Sequence, residues 1–117
     1  MATIAKELLS ADTLAGESSV LIVATATAGT AIHTVGSGTD NIDEVWLWAN
    51  NNHTSAVTLS IEWGNVTANR LVKVALQPNE TALIVPGWIA QESNAIAAFA
   101  SVASVINVHG FVNRITA

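Results

Sequence analysis

Four tryptophans, three histidines and one adjacent acid pair are the residues with chemistry to offer. Trp46 and Trp48 alternate within Asp43-Glu-Val-Trp-Leu-Trp-Ala-Asn-Asn51, Trp63 ends the next apolar segment, and Trp88 follows Pro86-Gly87. Side chains two apart share a face of a strand. Two such indoles can stack on a sugar ring, anchor a subunit interface or pack in a core, and all three readings stay open for Trp46 and Trp48. Trp63 follows Ile61 in register and reads as core. His33, His53 and His109 lack the spacing of a metal site, so only the fold could gather them. Taken singly, His53 is a turn residue and the other two are polar strand positions. Asp43 and Glu44 are adjacent, so in a strand they face opposite ways and cannot act as a paired acid and base. They read as solvated residues at a strand start. Gly36-Ser-Gly38 has neither the helix nor the lysine of a phosphate loop, and no serine sits in a nucleophile elbow. There is no cysteine, hence no disulfide or thiolate site. The expectation is a protein that is not an enzyme, with no cofactor and no metal.

The elements that must position these side chains are short strands. In Thr54-Ser-Ala-Val-Thr-Leu-Ser-Ile-Glu-Trp-Gly64, Val57, Leu59, Ile61 and Trp63 point one way, and Thr58, Ser60 and Glu62 the other. That period of two marks a strand with one dry and one wet face. The preceding segment puts Val45, Leu47 and Ala49 on a dry face and Trp46 and Trp48 on the opposite one. With the polar turn Asn50-Asn-Asn-His-Thr54 between them, the pair is expected to form a β-hairpin whose Trp face needs a cover.

Further strands are expected over 31–35, 70–76, 81–85, 95–100 and 104–115. Turns fall at Gly36–Asp40, Gln77–Glu80, where the fixed φ of Pro78 helps, and Gln91–Asn94; Trp88–Ala90 reads as a short continuation past Pro86-Gly87. Residues 1–28 differ. Ala5, Leu8 and Leu9 suggest one helical turn, Ala11–Glu17 a loop, and Ser18–Ala24 a loosely attached strand. The reading is an extended N-terminal arm, 1–28, on a β-sandwich domain, 29–117, which should stay folded without the arm. The fold class is all-β: an antiparallel β-sandwich of seven to eight strands, jelly-roll-like.

Charged residues make up 11% of the chain, against about 25% in an average protein. A folded monomer of this size exposes roughly 6,000 Å², so Ser, Thr and Asn must supply most of its polarity. Such a surface suits faces covered by subunits or partners; a monomer with a Thr/Asn coat is the alternative. The net charge is −5, with four basic residues, Lys6, Arg70, Lys73 and Arg114. No basic patch can form, which argues against nucleic acid. No apolar run approaches a membrane span. The first residues lack a basic run leading into an apolar stretch, so synthesis in the cytoplasm is expected. The sequons at Asn52, Asn65 and Asn79 carry little weight without a secretion signal.

Ile32-His-Thr-Val35, the Gly-containing turn after it, the segments 43–50 and 55–64, Val85-Pro-Gly87 and Val105-Ile-Asn-Val-His-Gly-Phe-Val-Asn-Arg-Ile115 together resemble small structural proteins of tailed bacteriophages. The resemblance covers about residues 31–115. Where such proteins carry proline after the first segment, this chain has Gly36. The resemblance implies a virion component on the capsid exterior, a decoration (cement) protein with a jelly-roll-like sandwich. Its partners would be the major capsid protein and copies of itself, as a trimer, with no nucleic acid and no membrane. It brings no catalytic residues. Trp46, Trp48 and Trp88, with Ile4, Leu8 and Leu9 on the arm, are the expected interface residues. A tail, neck or fibre component and a carbohydrate-binding module are the alternatives.

Overall fold

The computed structural model describes residues 2–12 and 16–116. Among these residues nine strands form: β1 Thr3–Glu7, β2 Ser19–Ile22, β3 Thr30–Thr34, β4 Asn41–Asn51, β5 Val57–Trp63, β6 Val72–Leu76, β7 Thr81–Ala90, β8 Ala95–Ala100 and β9 Ile106–Thr116. They make two antiparallel sheets, ordered β1-β9-β4-β7, with β2 also on β9, and β3-β8-β5-β6. The chain is an all-β sandwich, and its accessible surface is 6069 Å².

The alternation of side chains sets which residues meet between the sheets. Val45, Leu47 and Ala49 of β4 and Val108 and Val112 of β9 face Val57, Leu59 and Ile61 of β5, all buried. The expected hairpin does not form. β5 pairs with β6 and β8, in the other sheet from β4. The turn at 50–54 is a crossing between sheets, which lets the two dry faces oppose each other across the core. Asn51 fixes the crossing. Its buried side-chain amide donates to the carbonyls of Ser55, Leu76 and Gln77, and its Oδ1 accepts the His53 N–H.

The N-terminal segment joins the first sheet. β1 pairs with β9 over Val112–Thr116, and β2 with β9 over Ile106–His109. Residues 3–7 are therefore strand, and the expected helical turn is absent, because their backbone groups bond to an open edge of β9 instead of to each other. Thr13, Leu14 and Ala15 of the expected loop lie outside the described residues. Leu9, Val20 and Ile22 lie in the core, and the buried Ser18 hydroxyl accepts the Leu9 N–H and donates to the Gly110 carbonyl.

The continuation expected at Trp88–Ala90 is part of β7, which runs through Pro86-Gly87 with irregular register against β4; it is an edge strand, where a missing N–H is tolerated. One smaller expectation changes. Ser60 and Glu62 on the expected wet face of β5 are buried; Glu62 accepts the Gly29 N–H with both oxygens at 3.0 Å, so the chain before β3 lies against it.

Candidate interaction face

Register assigns the outer side of the first sheet. Ile42, Glu44, Trp46, Trp48 and Asn50 of β4 share that side with Ile115, Asn113, Phe111, His109 and Asn107 of β9. Ile4 and Lys6 join from β1, Leu21 from β2, and Leu83 and Ile89 from β7. Ile4 is 70% and Ile89 61% exposed. Lys6 and Glu44 are the charged residues at these positions, and both are engaged within the face.

An aromatic row crosses the centre. Phe111 lies opposite Trp46, with ring centroids 6.4 Å apart and planes at 16°, and 6.1 Å from Trp48 at 31°. The Lys6 ammonium sits 4.5 Å from the Phe111 centroid, a cation–π contact. Trp46 Nε1–H donates to Glu44 Oε1 at 2.7 Å, and Asn113 Nδ2–H donates to the same oxygen at 3.1 Å. The indole and amide donors hold the Glu44 carboxyl below its ordinary value, against a smaller upward push from burial.

Two glycines make this packing possible. Gly87, at φ +77, lies under the Trp46 indole; a Cβ there would stand 2.8 Å from the ring. Gly110 faces the core side opposite Leu47, and a Cβ on it would meet the Trp46 carbonyl oxygen at 1.9 Å.

The expected interface residues separate into two groups. Trp46, Trp48 and Ile4 share the outer face, and Leu8 is exposed just beyond β1. Leu9 is 2% exposed and belongs to the core, so it has no surface to offer a partner. Trp88 lies opposite inward-facing Val45 and packs edge-on against Trp63, centroids 5.3 Å apart at 84°. It therefore caps the core at one end of the sandwich together with Trp63, away from the other two tryptophans. Phe111 was missed as the centre of the row. Alternation through Val108, Gly110 and Val112 would have put it outward, beside His109 and Asn113.

Asp43 is the other correction, since it is buried, not solvated. Arg114 grips its carboxylate from β9, Gly36 N–H donates to it, and His33 Nε2 lies 2.9 Å from Oδ2. Ser10 N–H donates to His33 Nδ1, so the imidazole proton is on Nε2 and points at Asp43. Burial pushes the Asp43 carboxyl up, but the Arg114, His33 and Gly36 donors together outweigh it and leave it lowered. Both imidazole nitrogens of His33 are thus engaged within the chain. His109 is on the outer face and His53 in the crossing turn, and among the described residues no group of three or more His, Cys, Asp or Glu is placed to hold a metal ion. Among the described residues no helix is long and apolar enough to cross a membrane. Comparison with known proteins gives no matching family model and no matching curated sequence.

Proposed function

We propose that this chain is a non-enzymatic virion structural protein, a capsid decoration protein that binds the assembled phage head through the outer face of its first sheet. The observation that carries the proposal is that face: an aromatic row among exposed isoleucine and leucine, whose two charges are already engaged. Apolar, aromatic-centred and charge-poor surfaces of this kind mark protein interfaces. The strand order supports a jelly-roll reading of the sandwich. With β1 and β2 taken as one interrupted strand on β9, each sheet holds four strands, and the chain crosses between the sheets at every connection except β5–β6, which pair within the second sheet. Viral capsid domains commonly use that architecture. The proposed partners are the major capsid protein and two further copies of this chain. Binding the assembled shell and not its free subunits stabilises the shell by mass action, about 2.7 kcal/mol at a hundredfold excess over Kd.

The test is co-sedimentation of purified protein with undecorated heads, with Trp48→Lys and Phe111→Glu as variants. Both should keep the fold by circular dichroism and lose binding. Retained binding by both, or a virion reconstruction in which the protein is absent from the shell, would sink the proposal. Density on a tail, neck or fibre instead would keep the face and change the partner.

The row Trp46–Phe111–Trp48 also favours a second reading, a sugar-binding face. It ranks lower because Lys6 occupies one side of Phe111 and Glu44 takes the Trp46 N–H. Saturable quenching of tryptophan fluorescence by a glycan, abolished in Trp48→Ala, would reverse the ranking.

A further inference from the structure

On the far side of the sandwich, the outer surface of the second sheet bears a cleft of about 530 Å³. Its walls are small and apolar, with Ala31, Ala95, Ala97 and Val66, and Glu62 forms part of its lining. Glu62 is 3% exposed. By register it lies opposite Ala97, on the outward side of β5. Both of its oxygens share one donor, Gly29 N–H, whereas a carboxylate accepts about four hydrogen bonds. Among the described residues the ion pairs are those of Asp43 with His33 and Arg114. Among the described residues Glu62 therefore has no cation beside it, although buried charges are as a rule paired.

We infer that this cleft receives a cationic side chain, arginine or lysine, projected by a partner protein. The alanine walls accommodate an aliphatic stem, and the carboxylate meets the charged head, as long basic side chains commonly bury their methylenes. A guanidinium can use the lone pairs that Gly29 leaves open, in a charge-assisted contact. The chain's net charge of −5 favours the approach of a basic partner. This site is independent of the aromatic face and needs no assumption about a virion.

The test uses the full chain and a blocked arginine, N-acetyl-arginine methylamide, followed by amide NMR shifts. Saturable shifts are expected at Gly29 and Ala97, absent with the neutral citrulline analogue. Glu62→Gln keeps an acceptor for Gly29 and should weaken binding at least tenfold. Ala97→Leu fills the cleft without altering the charge and should weaken it as well. Trp48→Lys should leave it unchanged, which separates this site from the proposed shell-binding face. No saturable shift in the wild type, or equal shifts in Glu62→Gln, overturns the inference.

Discussion

Arg114 on β9 holds Asp43 on β4 through two parallel hydrogen bonds, Nε to Oδ1 at 2.8 Å and Nη2 to Oδ2 at 2.9 Å. The two residues are directly opposed in the ladder, so the clamp locks the register of the two longest strands. Planar two-point contacts of this type are the strong form of an ion pair. Removing the carboxylate leaves Arg114 and the Gly36 N–H without their acceptor and His33 Nε2–H without a partner. Asp43→Ala should cost about 3–5 kcal/mol, the range for breaking a buried pair. Arg114 can still reach water, since its side chain is 31% exposed, which favours the lower end. Urea midpoints of the two proteins at equal m-value provide the measurement.

The same clamp predicts an acid limit. In the folded chain the Asp43 carboxyl lies below its ordinary value of 3.8. The unfolded chain therefore binds its proton first as pH falls, and stability rises with pH across that interval. The contribution should be fully present above about pH 5 and drain away as pH falls below 3.8 and through the folded value. Asp43→Asn should flatten that part of a stability-versus-pH curve. An unchanged acid limb in the variant would show that other carboxylates set it.

Gly110→Ala and Gly87→Ala should differ sharply, although both glycines neighbour Trp46. At Gly110 the obstacle is the Trp46 carbonyl, 1.9 Å from the added carbon. Backbone on the partner strand cannot yield without opening the β4–β9 ladder. At Gly87 the obstacle is an indole edge at 2.8 Å, which can tilt, and the remaining cost is a left-handed backbone angle. We expect Gly87→Ala to lose about 1–3 kcal/mol, with altered tryptophan emission. Gly110→Ala should lose more than about 4 kcal/mol or fail to fold.

Much of this was legible in the sequence, and the misses share a cause. Alternation placed Val45, Leu47 and Ala49 inward and Trp46 and Trp48 outward, as found. It could not tell a hairpin from a crossing between sheets, because both give two dry faces joined by a polar turn. Deciding between them needs Asn51 and its three carbonyl partners, two of which lie on residues 76 and 77. Asp43 looked solvated because its acceptor role depends on Arg114, 71 positions away. Residues 1–28 read as a loosely attached arm because their segments are short, and β1 and β2 find their place only by pairing with β9. Trp88 was grouped with Trp46 by residue type, while its place opposite Val45 depends on irregular register within β7.

Asn51→Asp tests the crossing with a nearly isosteric change. The Asn51 amide is a donor to three carbonyl oxygens at 3.0–3.2 Å. A carboxylate there would face those oxygens with nothing to give, in a buried site. The cost should be on the order of 3 kcal/mol or more at neutral pH. Protonation restores one donor, so the introduced group's folded-state affinity for a proton is raised and the variant should regain stability as pH falls towards 5. A variant as stable as the wild type at pH 7 would remove Asn51 from the account of the crossing.

Two truncations test whether the N-terminal segment is an appendage. Residues 2–7 are mostly exposed, and deleting them removes one edge strand, so the remainder should still unfold cooperatively. Deletion of residues 2–28 also removes Leu9, Val20 and Ile22 from the core. At about 1.5–3 kcal/mol each, their loss is roughly 5–9 kcal/mol, comparable with the whole stability of a domain of this size. It also strips β9 of its β2 partner and leaves that edge bare. The shorter truncation should therefore give a cooperative urea transition at a reduced midpoint, and the longer one none. A cooperative transition in the protein lacking 2–28 would mean that the two sheets hold together without the residues that fill one side of their interface.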